Sequence, residues 1–415
     1  MSNLQVMIIG AGTGGLALAH GLRAAGVSVR VFERDRKLTD RLQGYRLTIN
    51  SNGARALESC LPKANFERYI EASAVVSTAV SFLDHKLRRL LSVDVPDTDQ
   101  NAPYAARPIS RISLRKILAE GLEDAVTFGK TFQYFEKMAD GRVLAHFEDG
   151  SRAEGDVMVG ADGAASRVRR QLLPHAQRID TGVVMVSGKL PLDTAVRREA
   201  PQPIFKGPTL ILGSGGCCMF TGAVEYPPGH SSAYDHEEYV MWGFSAHRES
   251  FKPAPADGDV MFADARAAVL AQMPDWSRDL RRLVERADAS SLTTFAVKSS
   301  VPIAPWPTCT VTLLGDALHN MTPFRGIGAN TALRDAVLLR DDLVSADSGK
   351  RDLLAALADY ERSMIDYGFA AVRASLANMK RVHARSPVSR LVTRVFFRIA
   401  DSSPWLRRRV IDTGG

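Results

Sequence analysis

The chain is poor in cysteine, and its few cysteines are not arranged for a metal or a disulfide. Cys60, Cys217, Cys218 and Cys309 are the four; none stands in C-x-x-C spacing, and the adjacent pair Cys217–Cys218 suits neither a structural disulfide nor a zinc site. Reduced, mostly buried thiols are the expectation. No run reaches the roughly eighteen apolar residues that a membrane span requires, so no spanning helix is expected. The first residues enter a strand pattern at once, without the basic, apolar and cleavable succession of a signal peptide, and a cytoplasmic location is expected. Internal repeats and low-complexity segments are absent. So is any nucleic-acid-binding module, because the basic residues are scattered apart from small clusters such as Arg407–Arg409. The net charge of +7, from 53 basic and 46 acidic residues, suits an anionic cofactor or substrate. By itself it describes no more than a solvated basic surface.

What is present is ordinary globular material: 415 residues, 45% hydrophobic and 24% charged, enough for about two or three domains. One stretch organises it, QVMIIGAGTGGLALAHGLRAAGVSVRVFERD from Gln5 to Asp35. Val6–Ile9 is a short apolar strand. Gly10, Gly12 and Gly15 follow in G-x-G-x-x-G spacing, with Thr13 and the extra Gly14 inside the turn. Leu16, Ala19 and Leu22 then recur at helical steps, Val27–Phe32 is a second strand, and Glu33 ends it. Glycine at the first position permits a sharp turn, at the second lets backbone approach a pyrophosphate, and at the third lets helix and strand pack closely. The helix N-terminus then offers free N–H groups and partial positive charge to phosphates. Glu33 is placed to accept hydrogen bonds from a ribose, and its charge argues against a 2′-phosphate there, an argument softened by Arg34. FAD and NAD both fit this stretch alone.

Further along, Tyr45–Asn50 alternates as a strand and Asn52–Leu61 reads as a short helix. Val75–Leu83 and Leu87–Val93 form a candidate hairpin, and the turn-rich Pro96–Pro103 reads as a mobile loop. Ser110–Leu122 is an amphipathic helix with Arg111 and Arg115 on its polar, solvated side. Two strands, Arg142–Phe147 and Glu154–Val159, meet at a turn, and the second runs into Gly160-Ala161-Asp162-Gly163. A carboxylate and a glycine at a strand's C-terminal end stand where open α/β sheets bind ligands. From about Asp180 to Thr294 long strand-like runs (Gly182–Leu190, Thr209–Leu212, Cys217–Glu225, Tyr239–Ser245) alternate with turns, around one helical patch, Asp264–Gln272. Gly213, Gly215 and Gly216 fit a cavity wall or a turn equally.

The α/β texture returns at the buried strand Thr310–Gly315, capped by Asp316 and followed by Pro323-Phe324-Arg325-Gly326-Ile327-Gly328-Ala329-Asn330 and a helix. Glycines before a helix N-terminus again describe an anion site built from backbone donors. Leu353–Val382 and Val388–Ala400 are amphipathic helices. Arg390, Arg394 and Arg398 recur at four-residue steps in the second. A membrane-surface helix fits that pattern, but a packed helix with a basic outer face is the expectation.

Three signatures thus stand in order: GAGTGG (Gly10–Gly15) with Glu33, GADG (Gly160–Gly163), and GDALH (Gly315–His319) with PFRGIGAN (Pro323–Asn330). Together they resemble the single-component FAD-dependent aromatic hydroxylases of the para-hydroxybenzoate hydroxylase type, over nearly the whole chain. The resemblance implies one non-covalent FAD in an extended pose, with Glu33 at the adenosine ribose and Asp316 at the ribityl and pyrophosphate region. Gly326, Gly328, Ala329 and Asn330 would lie beside the flavin's pyrimidine edge, with Pro323 fixing the turn near the ring. Asp162 and Gly163 would serve both FAD and NADPH or NADH, since this family has no separate nicotinamide domain. Arg111, in R-x-x-L, resembles the family's arginine near the flavin phosphates, and Arg46 is a looser candidate. Leu318 departs from the alanine usual in GDAxH. No W-x-W-x-I-P motif of the flavin halogenases occurs.

The implied fold is α/β: a Rossmann-type FAD-binding domain (1–73, 101–180, 293–345), an inserted, mainly antiparallel sheet domain for substrate (74–100, 181–292), and C-terminal helices (346–415). The implied function is a monooxygenase in which NAD(P)H reduces FAD, O2 adds at flavin C4a, and one oxygen atom passes to a phenolic or polycyclic small molecule. A related reductase or halogenase, or a non-catalytic FAD-binding protein, is the alternative. The chain is expected to act as a monomer or homodimer. No catalytic acid or base stands out: His319, Tyr45, His247 and Tyr239 are all conceivable, and each is more often a packing residue.

Overall fold

Two sheets divide the molecule, and the sequence pattern assigns strands to each. The computed structural model describes residues 4–38, 40, 45–95, 99, 102–227, 234, 237–252, 254 and 262–403. In the first sheet five parallel strands run in the order Val311–Leu313, Val157–Gly160, Gln5–Ile9, Ser28–Phe32, Val126–Thr127. Its central strands are apolar throughout because helices cover both faces; Val6–Ile9 and Val157–Val159 are all buried. Helix Thr13–Ala24 follows the first strand, and helices Gly328–Asp347 and Leu353–Val382 join the same core, through Leu333, Leu339, Tyr360 and Phe369. The Tyr360 hydroxyl donates to the Leu313 carbonyl at 2.8 Å, tying the long helix to the edge strand.

The second sheet has seven strands in the order Thr293–Ser300, Arg178–Pro191, Tyr239–His247, Cys218–Val224, Thr209–Leu212, Ala79–Asp84, Arg89–Asp94. All its pairings are antiparallel except that of Thr209–Leu212 with Ala79–Asp84. The period of two along each strand separates its faces. Val184, Val186, Met219, Trp242 and Phe244 turn toward helices Ala265–Ala271 and Arg278–Glu285 and form one core with Val269, Leu280 and Trp276. Met185, Ser187, Leu210, Cys218, Phe220 and Ser245, of the opposite parity, line a cavity.

Three expectations change, and one alternative left open is decided. Thr293–Ser300, counted above with the nucleotide-binding part, pairs with Arg178–Pro191 as an edge strand of the second sheet; its alternating run belongs to that sheet's pattern. Glu154–Val159 is not one strand. Arg152–Gly155 pairs with Val143–Phe147 in a separate three-stranded sheet, and Val157–Gly160 enters the parallel sheet. The chain changes sheets at Gly155, where a Cβ would lie 2.8 Å from the Gln5 carbonyl oxygen. Gly213, Gly215 and Gly216 form a turn: the last two have φ of +70° and +80°, and Gly213 abuts Cys217 and Trp276. Finally, helix Pro387–Ser402 buries Phe397 and Ala400 but leaves most of its large apolar side chains exposed, so its outer side carries an apolar stripe beside Arg394 and Arg398 rather than a basic face alone. Most of Pro96–Pro103 and all of Arg407–Arg409 lie outside the described residues.

Candidate functional site

Between the sheets lies a cavity of about 1700 Å³, larger than the several hundred cubic ångströms typical for a single small ligand. Its walls collect the separated signatures. Gly10, Gly12, Thr13, Gly14, Gly15, Glu33, Arg34, Arg46, Arg111, Asp162, Gly163, Asp316, Pro323, Gly326, Gly328, Ala329 and Asn330 all line it.

The glycine turn is shaped by contact on three sides and openness on one. Gly10 has φ +114°, and a Cβ there would sit 2.4 Å from the Ala161 carbonyl oxygen, so the turn presses against the GADG strand end. At Gly15 a Cβ would lie 2.2 Å from the Gly10 carbonyl oxygen, and at Gly14 it would meet Leu314 at 2.4 Å and the Ala332 carbonyl oxygen at 3.2 Å. Gly14 is therefore the packing seam between the first helix and the GDALH segment. At Gly12 a Cβ would meet nothing within 4 Å. Backbone there borders open space at a helix N-terminus, which is the requirement for close approach of a phosphate.

Glu33 is buried and already hydrogen-bonded. Its Oε2 accepts from Ala11 N at 2.8 Å and its Oε1 from Asp35 N at 2.9 Å. Arg115 completes the arrangement: its guanidinium pairs with Glu33 at 3.1 Å and Asp35 at 2.9 Å and donates to the Ala11 carbonyl at 3.0 Å. Arg115 is thus not the solvated residue expected of its helix; it clamps the glycine turn to the second strand. Arg115 comes from a helix distant in sequence, so no local pattern announces it. Arg111 lines the cavity too. Burial lowers its pKa from the ordinary arginine value, with the charge of Asp316 opposing.

Asp162 uses one oxygen to cap the helix beginning at Arg167, accepting from Arg167 N at 2.7 Å. Its other oxygen, Oδ1, is buried without a partner among the described residues, and burial raises the pKa of the group. Asp316 stands at the tip of Val311–Leu313 and is exposed toward the cavity. The turn that holds it is tied from behind. Asp335 Oδ2 accepts from Gly315 N and from His319 Nε2, each at 2.7 Å, and Asp335 also accepts from the Tyr367 hydroxyl. Asn330 commits its amide to the protein, Oδ1 accepting from Asn50 N and Nδ2 donating to the Thr48 carbonyl, both at 3.0 Å. Its side chain fastens the start of helix Gly328–Asp347 to the neighbouring strand; what remains for a ligand at that helix N-terminus is backbone.

The sheet wall is mostly apolar: Val80, Phe82, Met185, Leu210, Phe220 and Met241. Arg46 lies against it, its guanidinium 5.9 Å from the Phe220 ring centroid. Its Nη2 has no hydrogen-bond partner among the described residues, and burial lowers its pKa. At the far end a polar group interrupts the wall. Ser245 Oγ lies 3.0 Å from His383 Nε2 and 3.2 Å from Cys218 Sγ. His383 Nδ1 lies 2.9 Å from the Met379 carbonyl; a carbonyl only accepts, so Nδ1 carries the proton and Nε2 accepts from Ser245. Burial pushes the His383 pKa down to about 4 and that of the Cys218 thiol up to about 12. Sequence reasoning missed this trio, although the parity of Cys218 and Phe220 in a recognised strand marks their common face. Of the four conceivable acid–base residues, none lines the cavity. His319 is buried beneath the turn, Tyr45 donates to the Ser291 carbonyl at 2.5 Å, His247 meets the His383 carbonyl at 2.9 Å, and Tyr239 carries the Lys189 ammonium over its ring at 4.5 Å.

The residues present fit a long dinucleotide. There is an open glycine turn at a helix N-terminus, an orphaned Asp162 oxygen, a free-standing Asp316, and a second helix N-terminus at Gly328 across the same cavity. Among the described residues no cluster could hold a metal ion, and no helix is long and apolar enough to cross a membrane.

Comparison with known proteins agrees with the geometry. A sequence profile of the FAD binding domain matches residues 3–200 and 275–375. A crystal structure described as that of an FAD-containing monooxygenase, from Photorhabdus luminescens subsp. laumondii, superposes with a TM-score of 0.82 at 36% identity, covering 92% of this chain and 99% of that one. The dual O-methyltransferase/FAD-dependent monooxygenase elcB of Phaeosphaeria nodorum is 30% identical over 91% of this chain and 46% of its own length. The chain accordingly spans about half the length of the first such relatives. The Aurachin C monooxygenase/isomerase of Stigmatella aurantiaca is 28% identical, over 88% of this chain and 86% of its own.

Proposed function

The chain belongs to the family of FAD-dependent monooxygenases, and from that premise we propose that it uses NAD(P)H and O2, in the cytoplasm, to oxygenate a phenolic or polycyclic small molecule. The observation that carries this reading is the meeting of Gly12, Asp316 and Gly328 on one cavity whose opposite wall is the apolar face of the second sheet. Bound FAD would supply the redox and oxygen-transfer chemistry; the chain supplies binding, orientation and exclusion of water.

The N–H groups at Gly12–Thr13, with Arg34 and Arg111 nearby, suit a pyrophosphate. Glu33, held by Ala11, Asp35 and Arg115, keeps free lone pairs for ribose hydroxyls. Asp162 and Asp316 offer acceptors at the two strand tips. The N-terminus at Gly328 aims backbone dipoles at a site of negative charge, and the Arg46 Nη2 supplies a cation to an anionic oxygen on ring or substrate. On the sheet wall, Ser245 donates to neutral His383, which leaves its oxygen able to accept a hydrogen bond from a substrate hydroxyl. An aromatic substrate would lie between that wall and the flavin.

The test is consumption of NADPH or NADH and O2 by the FAD-loaded protein across a panel of phenols and fused-ring aromatics, with product mass read after reaction under labelled oxygen. Gain of one labelled oxygen atom supports the reading. A flavin that is bound but never reduced by either nicotinamide, with any substrate present, would point instead to a non-catalytic FAD-binding protein. Ser245→Ala is expected to raise KM for hydroxylated substrates by about tenfold, the effect of one lost hydrogen bond of about 1.4 kcal/mol, and to leave FAD content unchanged.

A further inference from the structure

Helix Pro387–Ser402 is attached the wrong way round for an ordinary surface helix. With 3.6 residues per turn, Val388, Leu391, Val392, Val395 and Ile399 fall in a single stripe along it. They are 70%, 62%, 62%, 45% and 56% exposed, and Phe396 at the stripe's border is 45% exposed. The opposite side makes the attachment. Phe397 stacks on Phe82 with centroids 4.7 Å apart, Ala400 is fully buried, and Asp401 accepts from Ser92 N at 3.1 Å and pairs with Arg89 at 3.3 Å. Amphipathic helices on globular proteins bury their apolar stripe. Here the wider stripe faces outward, and a contiguous apolar patch of this kind marks a surface that is covered in use.

Charge selects the cover. The helix carries Arg390, Arg394 and Arg398 and a single acid, Asp401, and that acid is turned inward onto Ser92 and Arg89. A second copy meeting this face across a twofold axis would bring the arginines of both helices together, with no acid on either helix free to offset them. An anionic bilayer surface accepts both features at once, apolar side chains into the boundary of the acyl chains and arginines onto the headgroups. Phe396 and Phe397 also line the cavity, beside Arg381 and Val382 of the preceding helix, so the stripe adjoins the cavity's sheet end. We propose that this helix docks the protein peripherally on an anionic lipid surface, stripe against the bilayer, with this end of the cavity next to the membrane.

The test is co-sedimentation of the full chain with vesicles of phosphatidylcholine alone and of phosphatidylcholine mixed with phosphatidylglycerol. Two double variants are compared with it: Leu391→Asp with Val395→Asp, and Arg394→Glu with Arg398→Glu. The expected result is binding to the mixed vesicles that weakens about tenfold or more in high salt, on neutral lipid, or in either variant. FAD content and vesicle-free NAD(P)H oxidation of both variants stay at the parent level, which shows that they fold and tests the catalytic reading separately. Absence of vesicle binding overturns the proposal, as does binding that both variants retain. If light scattering shows a dimer that the Asp variants split while vesicles leave the protein unbound, a second copy covers the stripe. If neither vesicle binding nor a dimer is seen, the proposal falls.

Discussion

At the scale of single residues, burial decides which ionisable groups act on the fold. Glu361 on the long helix is 3% exposed, and its Oε2 accepts from the Thr308 hydroxyl at 2.6 Å. Burial raises its pKa to about 7 from 4.5, against the hydrogen bonds that favour its charge. The folded state therefore binds more protons than the unfolded state between about pH 4.5 and 7, and stability falls as pH rises through that window. Replacing the group by a neutral isostere removes this dependence. Glu361→Gln is expected to stabilise the protein by on the order of 3.5 kcal/mol at pH 8, at about 1.4 kcal/mol per pH unit of the window, and to change nothing near pH 4. Thermal melts of both proteins at the two pH values check this; equal melting temperatures at pH 8 contradict it. Arg115 shows what single residues conceal in sequence. Its helix was legible from periodicity, but a basic residue on a polar face reads as solvated until the fold brings Glu33 and Asp35 within 3.1 Å and 2.9 Å of it.

At the scale of elements, the turn between Val311–Leu313 and helix Gly328–Asp347 rests on one buried carboxylate. Asp335 holds Gly315 N, His319 and Tyr367 together. Burial pulls the His319 pKa down, but the charge and hydrogen bond of Asp335, with Asp316 adding, outweigh it and raise the pKa above its usual value. A raised histidine contributes stability that is present below its unfolded value of 6.5 and is lost as pH rises through the folded value. Asp335→Asn leaves the imidazole without its counter-charge. It is expected to cost about 3–5 kcal/mol, the range for breaking a buried pair, and to speed FAD release by loosening the Asp316 turn. Denaturant unfolding and the rate of flavin fluorescence recovery on dilution measure both; unchanged stability with unchanged release contradicts the clamp.

Elements were the most legible level. Strand and helix periods, with glycine turns between them, located the fingerprint unit, the GADG and GDALH strand ends and the long helix, which runs Leu353–Val382 as expected. What escaped was set by contacts distant in sequence. The strand break at Gly155 follows from its approach to Gln5. The Ser245–His383 pair joins a strand to the end of a helix 138 residues away. The C-terminal helix has an apolar side in either reading, and periodicity reports that such a side exists, not what lies against it.

At the scale of the whole molecule, two sheets of different design meet over one cavity. The parallel sheet brings strand tips and helix N-termini to one wall, where open α/β sheets bind ligands. The antiparallel sheet gives the cavity a largely apolar second wall, with Arg46 at one place and Ser245 at another. FAD along the first wall and the proposed aromatic substrate along the second would together account for a volume of about 1700 Å³ that neither alone would need. The most direct measurement is a fluorescence titration of flavin-free protein with FAD, repeated for Asp316→Ala and for Gly12→Val, whose side chain would enter the open space bordering the turn. The expected result is one FAD per chain, bound about 10- to 100-fold more weakly by either variant, a loss of about 1.4–2.7 kcal/mol. Failure of the folded parent to bind FAD, or equal affinity in all three proteins, would contradict the convergence of these segments on a single flavin.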